Sequence, residues 1–223
     1  MNELWFCLHV MISLTCLTLC LRLGKECLIA FLSLSAVLAN LFVLKQMNFF
    51  GLTITCSDVY AVGAILTLNI VQEYYGKTEA KKASKIGFLC MVFFAIMTKM
   101  HLGYAPSPVD QTQNAFLAIL GATPRIVAAS IATFFLVQRM DIVLFSALRS
   151  RFEGKYFPFR ATLSLLCSQT FDTVCFTFLG LYGLIENPMH VIAFSLFIKI
   201  VVISLSAPVT LVSHRFLERK EHV

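Results

Sequence analysis

Seven apolar runs, at about 4–21, 26–44, 52–72, 86–101, 114–138, 161–183 and 189–211, constrain this chain most, because a bilayer-spanning helix needs roughly 20 mostly apolar residues. Inside a bilayer each backbone N–H and C=O must find a partner within the protein, so runs of this kind fold as helices. The composition agrees. The 223 residues are 58% hydrophobic and 13% charged, against about 25% charged in a soluble domain. Short connections join the runs, with no linker and no low-complexity stretch. The expected fold class is therefore an all-α, polytopic membrane bundle, one transmembrane domain over residues 1–223. No internal repeat is evident, which argues against an inverted-repeat architecture. The first 21 residues hold Glu3 but neither Lys nor Arg, so the basic n-region of a signal peptide is missing and the first run is expected to stay as a helix.

The net charge of +6 has a specific distribution. Lys77, Lys81, Lys82 and Lys85 follow the third run. Arg139, Arg149, Arg151, Lys155 and Arg160 follow the fifth, and Arg215, Arg219 and Lys220 follow the seventh. Arg22 and Lys25 separate the first two. The connections "GYAPSPVDQTQ" (103–113) and "IENPM" (185–189) contain no Lys or Arg. Cytoplasmic loops collect Lys and Arg, so this alternation places the N-terminus outside and the C-terminus inside. Only Lys45, at an outer end, departs from it. The charge is thus explained by topology, and no nucleic-acid partner is expected. Residues 142, 145, 148 and 152 are apolar at helical spacing within "RMDIVLFSALRSRF" (139–152), which predicts an amphipathic helix lying at the cytoplasmic interface.

Ionisable residues inside apolar runs are costly and usually face an interior site. By residue count Arg125, Asp172 and Lys199 fall near the middles of the fifth, sixth and seventh runs, and Asp58 about two turns into the third. In the third run Asp58, Val62, Ile65, Asn69 and Glu73 share one helix face, with Gln72 beside its lower end. In the sixth, "SQTFDT" sets Ser168, Gln169 and Asp172 on one face, continued by Phe176. Such a set suits a small polar, planar solute. Carboxylates and amides pair with the N–H and C=O edges of a heterocycle, Phe176 or Phe171 stacks on its face, and Arg125 and Lys199 act as counter-ions. The same charges also suit an ion-pair network that only locks helices together.

Other chemistries lack their residues. There is no H-E-x-x-H, G-x-S-x-G or Walker loop, which argues against an enzyme or an ATPase within this chain. The five histidines are scattered, and the eight cysteines form no C-x-x-C pair, so no metal or cofactor is expected and the cysteines read as buried small hydrophobes.

Four stretches in order carry a family likeness: "NIVQEYYGKTEAKKA" (69–83), "PRIVAASIATFFLVQRMD" (124–141), "SQTFDTVCFTFLGLYG" (168–183), and Lys199 with Pro208 nine residues on. Over roughly residues 30 to 212 the chain resembles the queuosine precursor transporter family, also called the putative vitamin uptake transporters. That resemblance implies a bacterial inner-membrane importer with a six-helix core. Its solutes would be 7-deazapurines used to make the tRNA base queuosine: queuine, 7-cyano-7-deazaguanine or 7-aminomethyl-7-deazaguanine. Residues 26–212 would be the core, 1–25 an added helix and 213–223 a cytoplasmic tail. The implied site residues are Asn69, Glu73, Arg125, Ser130, Gln138, Asp141, Gln169, Asp172 and Lys199, to which the spacing above adds Asp58 and Phe176. Relatives commonly carry Asp where this chain has Asn69, which puts the solute's identity in doubt more than the family. An alternative is the substrate-binding subunit of an energy-coupling-factor vitamin importer, also a small helical bundle. The Ala-x-x-x-Ala contact pattern of such subunits is missing, since Ala30, Ala36 and Ala39 are not four apart. An ATPase partner is therefore not expected, and a structural or assembly role is the remaining alternative. The oligomeric state stays open, a homo-oligomer included.

Overall fold

The computed structural model describes residues 1–50, 52–55, 57–121, 124–183 and 188–220. Its elements in order are α1 (Asn2–Leu23), α2 (Lys25–Leu41), β1 (Gln46–Phe49), β2 (Leu52–Thr55), α3 (Ser57–Leu102), α4 (Gln113–Leu120), α5 (Pro124–Arg151), α6 (Phe157–Phe176), a π-helical turn (Thr177–Leu181) and α7 (Pro188–Lys220). The molecule is an all-α membrane bundle with one small hairpin. By length and composition α1, α3, α5, α6 with its π turn, and α7 can each cross a bilayer. At 17 residues α2 reaches about 25 Å, the lower limit for a span.

The long α3 is two helices. Gly76 breaks it, with φ 86° and ψ 169°, a conformation that essentially only glycine adopts. Both arms return to the same level of α2. A Cβ on Gly63 would lie 3.9 Å from Phe31, and one on Gly87 2.7 Å from Leu32. A straight helix would hold these two glycines about 36 Å apart. The chain therefore folds back at Gly76, and residues 57–75 and 77–102 are separate crossings. This recovers the expected third and fourth runs.

The basic connections gather at one end of the bundle, the one the loop-charge rule takes as inner. At one end Lys25 pairs with Glu79 at 3.0 Å, and Arg160 with Glu73 at 2.8 Å. Tyr74 donates its hydroxyl proton to the Ser213 carbonyl at the same end. At the other end Asn2 donates to the Asn48 carbonyl at 2.8 Å, which ties the N-terminus to the β hairpin. Thr55 in turn donates to the Val43 carbonyl at 3.2 Å. Large apolar side chains such as Leu89, Phe93, Val143 and Phe197 point outward, as lipid-facing residues should.

Three expectations are corrected. Residues 52–55, assigned to the start of the third crossing, are strand β2, paired antiparallel with β1 (Met47 opposite Ile54); their Thr-Ile-Thr content favours strand. The fifth run is split. The short α4 ends at Gly121, and α5 begins at Pro124, whose missing N–H costs nothing at a helix start. The amphipathic stretch 139–152 is no separate interfacial helix but the inner end of a continuous α5, because Ile142 and Phe145 are buried against the core. The stretch from residue 213, expected as a tail, continues α7 as helix as far as Lys220, which leaves that expectation untouched. Residues 185–187 of the "IENPM" connection, with the preceding residue 184, and Cys56 lie outside the described residues.

Candidate functional site

A cavity of about 400 Å³ lies between α2, the first arm of α3, α5, α6 and α7. That is within the range for small-molecule sites. Its wall is mainly apolar, with aromatic rings from Phe134, Phe176 and Phe194. Towards the outer end it is bounded by Gln46, Thr55 and Leu181, and its deepest members on α3, α5 and α7 are Ile65, Val137 and Lys199.

The polar groups converge on Lys199. Its Nζ donates to Asp172 Oδ2 at 2.6 Å and to Thr173 Oγ1 at 2.9 Å, and lies 3.8 Å from Asp58 Oδ1. Ser195 donates to both Asp58 oxygens at 3.4 Å. The Lys199 and Asp58 side chains are 4% and 8% exposed, while Asp172 is 26% exposed towards the cavity. Two carboxylates therefore share one ammonium, and the site carries one formal negative charge beyond neutrality. Gln169 donates weakly to the Ala61 carbonyl at 3.4 Å; its Oε1 and the Thr133 hydroxyl have no partner among the described residues. Near the wall of α2, Ser130 donates to Asn40 Oδ1.

Local sequence explains the placement. Asp58 sits on the second residue of α3, directly after the hairpin, so the hairpin fixes its height. The π turn after Phe176 adds one residue to the helical repeat and re-aims the chain, a device common at functional sites. It brings Thr177 and Leu181 onto the cavity, with Gly180 packed on Ala129 at 3.3 Å from where a Cβ would stand.

The expected site residues separate into two groups. Asp58, Gln169, Asp172, Phe176 and Lys199 line the cavity together, and Ser130 joins them. Arg125, Asn69, Glu73, Gln138 and Asp141 do not. Arg125 is exposed on the second residue of α5, where its Nε donates to the Leu179 carbonyl at 3.0 Å. It was placed at mid-depth because the break before Pro124 was not foreseen. Asn69 is fully buried one turn below Ile65. Glu73 lies at the inner end in a bidentate pair with Arg160, at 3.0 and 2.8 Å, with Arg149 3.8 Å away. Phe171, the alternative stacking ring, points outward and is 37% exposed. The sequence reading missed Asn40, Thr133, Thr173 and Ser195. Asn40 had a visible signal, a lone amide inside the apolar "AVLANLF" of α2; the hydroxyls had none, since such groups are routine in membrane helices.

The bundle and its cavity define a multi-pass membrane protein with a solute-sized chamber between its helices. A family model described as "Putative vitamin uptake transporter" matches residues 55–213. The chain belongs to that family and is a transmembrane transport protein. It is 29% identical over 224 residues to the "Probable queuosine precursor transporter" of Bacillus subtilis (strain 168), an alignment covering 99% of this chain and 97% of that protein. The aligned length extends over α1 as well. No solved structure matches the chain.

Proposed function

We propose that the protein imports a queuosine precursor, a 7-deazapurine such as queuine, 7-cyano-7-deazaguanine or 7-aminomethyl-7-deazaguanine, across a bacterial inner membrane. The observation that carries this reading is the two-to-one ratio of carboxylates to ammonium in the cavity. Lys199 engages Asp172 closely and Asp58 at longer range, so carboxylate capacity remains for the N–H pair of a guanine-like edge. The unpartnered Gln169 Oε1 accepts a further N–H. Phe176 supplies a stacking face, with Phe194 also in the wall. The spare carboxylate also gives a proton somewhere to ride, which would couple uptake to a pH gradient. The chain acts as a carrier without catalysis and without an ATPase subunit, and its surroundings are lipid.

The test is uptake in cells that cannot make queuosine precursors, read as queuosine in tRNA. Rescue by one or more of the three bases is expected. No rescue by any of them would sink the assignment. Competition among the three for the purified protein in vesicles, with and without a pH gradient, then ranks the solute and identifies the driving force.

A further inference from the structure

Directly beneath the cavity lies a layer of buried polar side chains with unmet hydrogen-bonding capacity. Asn69 on α3 has neither its Oδ1 nor its Nδ2 partnered, and Gln138 on α5 has neither Oε1 nor Nε2 partnered, among the described residues. Asp141, also on α5, accepts from Ser164 at 2.6 Å and Ser168 at 2.7 Å, both at Oδ1, and its Oδ2 is unpartnered. Asn69, Gln138 and Asp141 are each 0% exposed, and the Asn69 amide lies close enough to Asp141 for a long hydrogen bond to its carboxylate, so these two partly satisfy each other while Gln138 stays unmet. Buried polar side chains are nearly always satisfied, and a concentration of orphans at one level calls for a physical cause.

Helix geometry ties this layer to the cavity. Ile65 and Val137 line the cavity floor, and Asn69 and Asp141 stand four residues further on the same faces, about 5.4 Å deeper. Thr133, itself unpartnered, lies four residues above Val137 on α5. Unpaired polar groups thus run down α5 from the cavity to the lower layer, interrupted only by the apolar pair Ile65 and Val137. Below the layer the path is shut. Gln72 donates to the Ile142 carbonyl at 3.1 Å and to Ser146 at 2.8 Å, and the Glu73–Arg160 pair closes the inner end.

We propose that Asn69, Gln138 and Asp141 form a second solute station, which receives the solute after it passes Ile65 and Val137. The inference rests on the carrier reading above and adds a second site to it. Its chemistry names the solute class. One carboxylate oxygen accepts an N–H. Two primary amides each offer a donor and an acceptor. There is no cation in the layer, since Lys199 stays above it. The station suits a neutral planar solute bearing both N–H and C=O or ring-nitrogen groups, and it rejects an anion.

The experiment compares wild type with the double variant Asn69→Leu/Gln138→Leu, which removes both amides, in proteoliposomes with radiolabelled 7-cyano-7-deazaguanine. Equilibrium binding to the outer cavity should stay within about threefold, while the uptake rate per folded molecule falls about tenfold or more. Unchanged uptake would mean that the layer holds water alone, and would overturn the station. A wild type that neither binds nor carries any of the three bases would overturn the carrier reading itself, and the station with it. A second measurement covers a double variant that fails to fold. Gln138→Cys, with the native cysteines replaced by Ala, should react with a maleimide supplied at the inner face. Saturating base should slow that reaction about fivefold. No reaction, or no slowing, overturns the proposal.

Discussion

Replacing Arg160 with Met should destabilise the protein heavily, and replacing Glu73 at the same time should restore most of the loss. Arg160 is fully buried. Its guanidinium holds Glu73 through two hydrogen bonds and donates to the Lys155 carbonyl at 2.7 Å and the Gly154 carbonyl at 2.8 Å. It also lies 5.3 Å from the centre of the Phe145 ring. Arg160→Met would strand the Glu73 carboxylate, whose side chain is 7% exposed, with only the half-exposed Arg149 at 3.8 Å for relief. Breaking a buried pair from one side costs about 3–5 kcal/mol, and Arg149 puts this case near the lower figure. At about 2–4 °C per kcal/mol for a chain of this size, the melting temperature should fall by about 6–12 °C. The Glu73→Gln/Arg160→Met pair removes both charges and should lose less than the single Arg160→Met change. Fluorescence-detected size exclusion after a temperature ramp in detergent reads both variants. A double variant as unstable as Arg160→Met would refute the pairing argument. Glu73→Gln should also keep uptake per folded molecule within about twofold, because the carboxylate is committed to Arg160. Abolished uptake would mean that Glu73 handles solute after all.

Asp172→Asn should leave protein amount within about twofold and cut uptake per molecule by about tenfold or more, since the partly exposed carboxylate faces the cavity and Thr173 still holds Lys199. Equal loss of amount and uptake would favour a purely structural ion pair. Gly87→Ala should lower the melting temperature, because its Cβ would come within 2.7 Å of Leu32, whereas Gly63→Ala, with 3.9 Å to Phe31, should be tolerated; overpacking of this kind costs about 1–3 kcal/mol. The reverse order of the two would mean that the arms of α3 do not both pack on α2. Gly76→Ala should cost about 1–3 kcal/mol through backbone strain alone, since nothing lies within 4 Å of its added Cβ. A neutral result in the same melting assay would mean that the turn is not held at φ 86°.

The parts of this molecule that were legible in its sequence are those that obey a one-dimensional rule. Hydrocarbon thickness sets run length, so the long apolar helices stood out, and the basic connections could be assigned to one end of the bundle. Glycine's freedom explains why α3 turns at Gly76, within a stretch already marked as a connection by its lysines. Asp58, Asp172 and Lys199 could be picked out because a charge inside an apolar run has few places to go. What the sequence did not reveal is which charges meet. Arg125 and Lys199 look alike in a hydropathy window, yet one ends exposed beside a backbone carbonyl and the other bridges two acids. The difference is set by a helix break at Pro124 and by the height of a four-residue strand, neither of which changes the apolar pattern. Glu73 shows the same limit. It shares a helix face with Asp58, but a face of 15 residues is about 22 Å long and crosses from the cavity through the orphan layer to the inner seal. Helical periodicity identifies the face and says nothing about depth along it. Depth is fixed by the partner helices, and here they assign the three acids on or near that path three different jobs: Asp58 to the cavity, Asp141 to the layer beneath it, and Glu73 to the closure of the inner end.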